Sequence, residues 1–111
     1  MATHFFNSKG GRKKTAGYSL MVPVSDSDVS LMSLLVGKMF QGKGLGKLLL
    51  SDSIALARSL GYKQMELSVA PDNASAVSLY RSFGFNTTKT VRDYLGPGQD
   101  RLLMTLSLWE N

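Results

Sequence analysis

The chain has 111 residues, 43% of them hydrophobic and 19% charged, the size and mix of one small globular domain over residues 1–111. It contains no cysteine, which excludes disulfides, thiolate metal sites and a cysteine nucleophile, and no stretch approaches the roughly 18 consecutive apolar residues of a membrane helix. The formal charge of +5 suits an anionic ligand, and Met1 to Phe6 lacks the basic and apolar regions of a secretory signal, so a cytoplasmic location is expected.

Ala2 to Asn7 reads as a short strand. The densest basic run, Lys9-Gly10-Gly11-Arg12-Lys13-Lys14, follows it; its glycines indicate a solvated hairpin turn, and the lack of interleaved aromatics argues against a nucleic-acid patch. Lys14 to Val24 is the partner strand, with Pro23 marking an edge or a bulge. Ser25-Asp26-Ser27-Asp28 is a turn cluster. Val29 to Val36 is a third strand, apolar nearly throughout and so expected to be buried on both faces.

A glycine-rich loop, Phe40 to Gly46, leads into a helix over Leu45 to Leu60. Leu45, Leu49, Leu50, Ile54, Leu56, Ala57 and Leu60 share one wide face, Lys47, Ser51, Asp52, Arg58 and Ser59 lie opposite, and Gly61 ends the helix. Gln64 to Ala70 is a strand. Pro71-Asp72-Asn73 turns and caps a second helix, Ala74 to Phe83, whose inner face carries Ala76, Leu79, Tyr80 and Phe83. Thr87 to Leu95 and Arg101 to Leu108 are the last strands, joined by a turn at Gly96 to Asp100. The order β-β-β-α-β-α-β-β describes an α/β domain of the α+β kind built on a mixed sheet. The strands ending at Val36 and Ala70 should be parallel neighbours joined by a right-handed crossover, splaying apart beyond those residues.

The chemistry concentrates where the third strand enters the glycine loop. Gly42, Gly44 and Gly46 alternate just before and within the first helical turn. Glycine lets backbone approach a ligand closely, and the exposed N–H groups of a helix start favour an anion such as a pyrophosphate. Lys38, Lys43 and Lys47 add positive charge nearby. Even glycine spacing fails the dinucleotide pattern G-x-G-x-x-G, and Gly44 stands where a P-loop needs Ser or Thr for magnesium.

Gln41-Gly42-Lys43-Gly44-Leu45-Gly46 resembles the Q/R-x-x-G-x-G/A signature of the GNAT superfamily of acyl-CoA-dependent N-acetyltransferases. Asn73 to Phe85, beginning 27 residues after Gly46, looks like that family's second block, N-x-x-A-x-x-x-Y followed by Gly-Phe. The two together cover the chain from about residue 14 to 108. The resemblance implies a GNAT-like fold and transfer of an acetyl group from acetyl-CoA, without a metal, to an amine whose type the sequence does not specify. It implies that Leu35 and Val36 flank the acetyl carbonyl, with the Val36 N–H facing it. It implies further that Gln41, Gly42, Lys43, Gly44, Leu45, Gly46 and Lys47 cradle the pyrophosphate. Asn73 and Ala76 would touch the pantetheine arm, and Tyr80 would be the general acid for the leaving thiolate. Read without the family, Tyr80 is a core aromatic and Asn73 a helix cap.

Two features depart from the family pattern. Members commonly begin with a strand and two helices that wall the acceptor site, whereas this chain is expected to start at the second strand. A second chain could supply the wall, the domain could be minimal, or the sequence could be a piece of a longer protein. The strand entering the loop also lacks the carboxylate that many relatives use as base. Glu66 reads as a solvent-facing strand residue, His4 as an ordinary strand histidine, and Asp26 and Asp28 as turn residues. These departures favour the alternative of a non-catalytic acyl-CoA-binding or regulatory module. The first strand, as an uncovered edge, points to a homodimer. Trp109 is expected to pack over a sheet edge.

Overall fold

A computed structural model describes residues 2–9, 12–37, 41, 42 and 44–109, with side chains from residue 17 onward. Eight elements follow one another: β1 (Ala2–Lys9), β2 (Arg12–Pro23), β3 (Asp28–Val36), α1 (Leu45–Ser59), β4 (Gln64–Val69), α2 (Ala74–Ser82), β5 (Asn86–Val91) and β6 (Arg101–Ser107). The order is the one expected, and the strands form one six-stranded sheet in the spatial order β1-β2-β3-β4-β6-β5. β1 lies at one edge. Lys9 pairs with Arg12, so the strands approach the basic turn as a hairpin, while Gly10 and Gly11 themselves lie outside the described residues.

β3 and β4 are the only parallel pair in this sheet order, as the crossover through α1 requires. Their pairing covers only Asp28–Gln64, Val29–Met65 and Ser30–Glu66. The strands therefore part after Ser30 and Glu66, several residues before the expected points at Val36 and Ala70. β4 turns instead to β6, with which it pairs along its whole length. β3 stays with β2, and the cleft between β3 and β4 is left open.

Both helices bury their apolar residues against the same face of the sheet. Leu50, Ile54 and Ala57 of α1 join Val77 of α2, Phe85, Met65, Leu67, Val69, Met104 and Leu106 in one cluster. Each large apolar side chain fully removed from water contributes about 1.5–3 kcal/mol. The expected inner face of α1 holds except at Leu60, which is exposed just past the helix end. On α2 it is Val77 that is fully buried, while Ala76, Leu79, Tyr80 and Phe83 are half-buried against the core.

The other sheet face carries no helix among the described residues, and this corrects the expectation for β3. Val29 and Leu31 point into the core, but Met32 is 62% exposed and Leu35 51%. An apolar strand is buried twice only if both faces are covered. The β2–β3 register also slips: Leu20 faces Ser33 but Met21 faces Leu31, so Met32 is an extra residue on β3. Such a bulge re-aims a side chain. The last expected strand but one is also shorter than its sequence suggests. β5 stops at Val91, and residues 92–98 turn. Asp93 takes a positive φ of 53°, accepts a hydrogen bond from the Gly98 N–H at 2.7 Å, and gives its own N–H to Asp100 Oδ1 at 3.0 Å.

Candidate active site

α1 starts without a side-chain cap. Gly44 occupies the cap position at φ 77°, and the first turn holds no acidic residue. The earliest intrahelical bond runs from the Leu48 N–H to the Gly44 carbonyl at 3.2 Å, so the N–H groups before it have no partner in the helix. Gly42 is also left-handed, at φ 78°. A Cβ built on Gly42 or Gly44 would meet nothing within 4 Å, so what demands glycine there is conformation and an open approach, not crowding. Gln41 closes the loop by donating its Nε2 to the Val36 carbonyl at 3.2 Å. These features fit a bound anion: free donors, a favourable helix dipole and no competing carboxylate. Lys38 and Lys43, both expected nearby, lie outside the described residues; Lys47 is exposed on the first turn.

Beyond Ser30 the β4-facing edge of β3 makes no ladder bonds. The resulting cleft, about 180 Å³, is lined by Leu31 to Leu34 from β3 and Leu67 to Ala70 from β4 and its end. Asn73, Tyr80 and Arg101 complete it. Asn73 is the cap of α2: its Oδ1 accepts from the Ala76 N–H at 3.3 Å and from Ser75 Oγ at the same distance. Capping and a place on the cleft are compatible, because one side chain does both. Tyr80 packs edge-on to Phe85 at 5.8 Å between ring centroids, with an interplanar angle of 62°. Burial pushes its hydroxyl pKa above the ordinary 10.0, and the positive charge of Arg101 partly opposes that rise. The phenol thus stays protonated at neutral pH.

Asn73, the cap of α2, and Tyr80, within it, both line the cleft, and Ala76 lies one turn before Tyr80 on the same helix. Leu35 and Val36 do not line it. They sit at the loop end of β3, with Leu35 facing outward opposite Tyr18 and the Val36 carbonyl engaged by Gln41. The β3 residues beside Tyr80 are Leu31 to Leu34.

An adjoining groove of about 440 Å³ lies on the open sheet face, between Met32, Glu66, Ser68, Leu103 and the Tyr94–Leu95 tip of the 92–98 turn. Glu66 is half-buried there rather than simply solvent-facing. Arg101 borders the groove and the cleft alike, and sequence reasoning had not singled it out. Only the β4–β6 pairing, which sets Val69 against Leu102, could have located it. Asp26 and Asp28 lie at the far end of β3, in a turn closed by the Val24 N–H on the Asp28 carbonyl at 2.9 Å. The side chain of His4 lies outside the described residues. Trp109 is largely exposed, with Lys63 Nζ 5.9 Å from its ring centroid. Among the described residues no group of three His, Cys, Asp or Glu could hold a metal, and no helix is long and apolar enough to cross a membrane.

The acetyltransferase (GNAT) family model matches residues 3–85. A ribosomal protein bS18-alanine N-acetyltransferase of Salmonella typhimurium is 30% identical over 94% of this chain and 78% of its own length. The crystal structure of the ribosomal protein S18-alanine N-acetyltransferase of Escherichia coli superposes with a TM-score of 0.82 at 29% identity, covering 99% of this chain and 71% of that one. A Salmonella typhimurium protein solved with its cofactor acetyl-CoA gives a TM-score of 0.79 at 30% identity, covering 88% of this chain and 61% of that one. The left-handed glycine loop, the splayed strands and these likenesses agree: the chain belongs to the GNAT acetyltransferase family and is an N-acetyltransferase that uses acetyl-CoA.

Proposed function

We propose that the cleft between β3 and β4 is where the acetyl group changes hands, and that the acceptor is the α-amine of a polypeptide. The observation that carries this is the meeting of Tyr80 and Asn73 at the stretch of β3 that has lost its ladder partner. Unpaired backbone N–H groups seek a partner, and the acyl oxygen of a thioester is a suitable one. The relatives named for the alanine of ribosomal protein bS18 support a protein acceptor.

Each residue then has a task. Backbone N–H groups of Gly42 to Lys47 hold the pyrophosphate, helped by Lys43. Asn73 and Ala76 guide the pantetheine arm along α2, and the end of β3, Leu35 and Val36, forms the wall between the two. The free edge of β3 stabilises negative charge developing on the acyl oxygen as the amine nitrogen bonds to the carbonyl carbon. The carbon–sulfur bond then breaks, and the Tyr80 hydroxyl gives its proton to the thiolate. The amine loses its own proton to water, because no carboxylate lines the cleft among the described residues. Glu66, in the adjoining groove, is the carboxylate through which a water could pass it on.

Residues 1–111 act as one unit in this scheme, and β1, an edge strand, supports two-fold pairing of two chains in the cytoplasm. Incubation with acetyl-CoA and a set of short peptides differing at the first residue, followed by mass spectrometry, tests the acceptor. Acetylation confined to the α-amine supports it; acetylation of lysine side chains with free α-amines untouched overturns it.

A further inference from the structure

Arg101 opens β6, and its side chain reaches back over β4. Nη2 donates to the Ser68 carbonyl at 2.9 Å and Nε to Ser68 Oγ at 3.3 Å. These two bonds fix the plane of the guanidinium at the rim where the cleft holding Tyr80 and Asn73 meets the groove holding Met32, Glu66 and Tyr94. Both go to neutral oxygen atoms of one residue. A guanidinium is always charged and carries five N–H donors, so three have no hydrogen-bond partner among the described residues.

A half-buried cation ordinarily finds a carboxylate, because neutral acceptors do not balance its charge. Among the described residues none does so here. The carboxylate next in sequence, Asp100, accepts the Asp93 N–H instead. Glu66 borders the same groove but makes no hydrogen bond with Arg101; its strand neighbour across the ladder is Thr105. The arginine is therefore held rigidly, poised between two cavities, and short of one anion. Its place also bears on the acceptor. A protonated amine entering the cleft meets a like charge, whereas an acceptor that carries a carboxylate near its amine cancels that charge and is oriented by a fork whose geometry matches it.

We propose that Arg101 selects the acceptor by binding a carboxylate close to the amine that is acetylated, so that peptides beginning with Asp or Glu, or with an acidic second residue, are preferred. The proposal rests on the reading of the cleft as the transfer site. Ser68 is the positioning residue, since its carbonyl and hydroxyl aim the fork.

The test compares kcat/KM at saturating acetyl-CoA for C-terminally amidated tetrapeptides that differ only by Glu or Gln at the first or second position. Free glutamine forms a separate arm that offers an α-carboxylate in place of a side-chain one. For the unaltered protein the Glu peptides should exceed their Gln counterparts by roughly tenfold or more, as expected for a charge-assisted pair, mainly through KM. In Arg101→Met the ratio should fall toward one. Arg101→Lys should keep part of it, because it retains the charge without the fork. A ratio near one in the unaltered protein overturns the proposal. So does a ratio that survives in Arg101→Met while all peptides slow equally, which would assign Arg101 to the leaving thiolate. Free glutamine outperforming both the amidated Gln and the amidated Glu peptides would overturn the proposal, because the recognised carboxylate would then be the α-carboxylate of a small acceptor.

Calorimetry of the same peptides with the CoA-bound protein separates this inference from the transfer reading. Tighter binding of Glu than Gln peptides, lost in Arg101→Met, supports the carboxylate site even without turnover; equal binding refutes it. CoA affinity and thermal midpoint verify that the variants are folded, and Arg101→Gln replaces Arg101→Met if the latter is not.

Discussion

The hydroxyls of Ser19 on β2 and Ser53 on α1 lie 2.6 Å apart in a site from which water is fully excluded. Ser53 donates to the Leu49 carbonyl at 2.7 Å, so the proton between the two serines comes from Ser19. The pair pins α1 to the sheet, and its two members are not equivalent. Ser53→Ala strands the Ser19 donor and should cost about 1–3 kcal/mol, whereas Ser19→Ala leaves Ser53 its carbonyl and should cost less. The double variant should be more stable than the sum of the two single losses predicts. Urea unfolding of the four proteins measures this; strict additivity would show that the hydroxyls do not interact.

Gly44 and Gly46 should respond differently to alanine. Gly44 sits at φ 77°, where a side chain is strained, and its backbone opens toward the proposed pyrophosphate. Gly46 lies within the helix, and a Cβ there would touch only Val36 Cγ2 at 3.8 Å. Gly44→Ala should weaken acetyl-CoA by about tenfold or more, given a strain of roughly 1 kcal/mol and a poorer approach. Gly46→Ala should bind within a few-fold of the parent. Calorimetric titration decides, and equal affinities for the two variants would remove the loop from the cofactor site.

The conformation of the glycine loop and of the α2 block was legible because each is a continuous stretch whose residue types serve local backbone needs: left-handed glycines before a helix, an asparagine that caps, a tyrosine two turns on. The order of elements was legible for the same reason. What the sequence hid depends on pairing. Arg101 lines the cleft that Tyr80 lines only because β6 pairs with β4. Met32 is exposed because alternation from Val29 and Leu31 turns it to the sheet face that no helix covers among the described residues. β5 ends early because Asp93 and Asp100 build a turn from a stretch whose Tyr94 and Leu95 look like strand. Gly17 passed unnoticed, although a Cβ there would lie 2.6 Å from the Leu35 carbonyl oxygen and 2.9 Å from Leu49 Cδ1. Its constraint comes from a neighbouring strand and a helix, not from its own turn.

The pH dependence follows from two groups. An α-amine ionises near pH 7.7–8.0, so the reactive neutral fraction should rise about tenfold per unit below pH 7. The Tyr80 pKa is raised by burial, so the acid form persists past the ordinary 10.0 and is lost only above it. Turnover at saturating acetyl-CoA and low peptide should therefore climb from pH 6 to about 8 and then hold level to about 10. An alkaline decline with a midpoint well below pH 10 would mean that another group supplies the proton.

Tyr80→Phe is the most direct measurement. The ring keeps its edge-on contact with Phe85 and its place beside the cleft, and only the proton donor is removed. With an alanine-initiated peptide and saturating acetyl-CoA, turnover should fall by roughly 10²-fold or more while the Kd for acetyl-CoA changes by less than about threefold. A variant that turns over at the parent rate, or that loses acetyl-CoA affinity with the rate per bound complex unchanged, would contradict the assignment of Tyr80 as the acid that releases the thiolate.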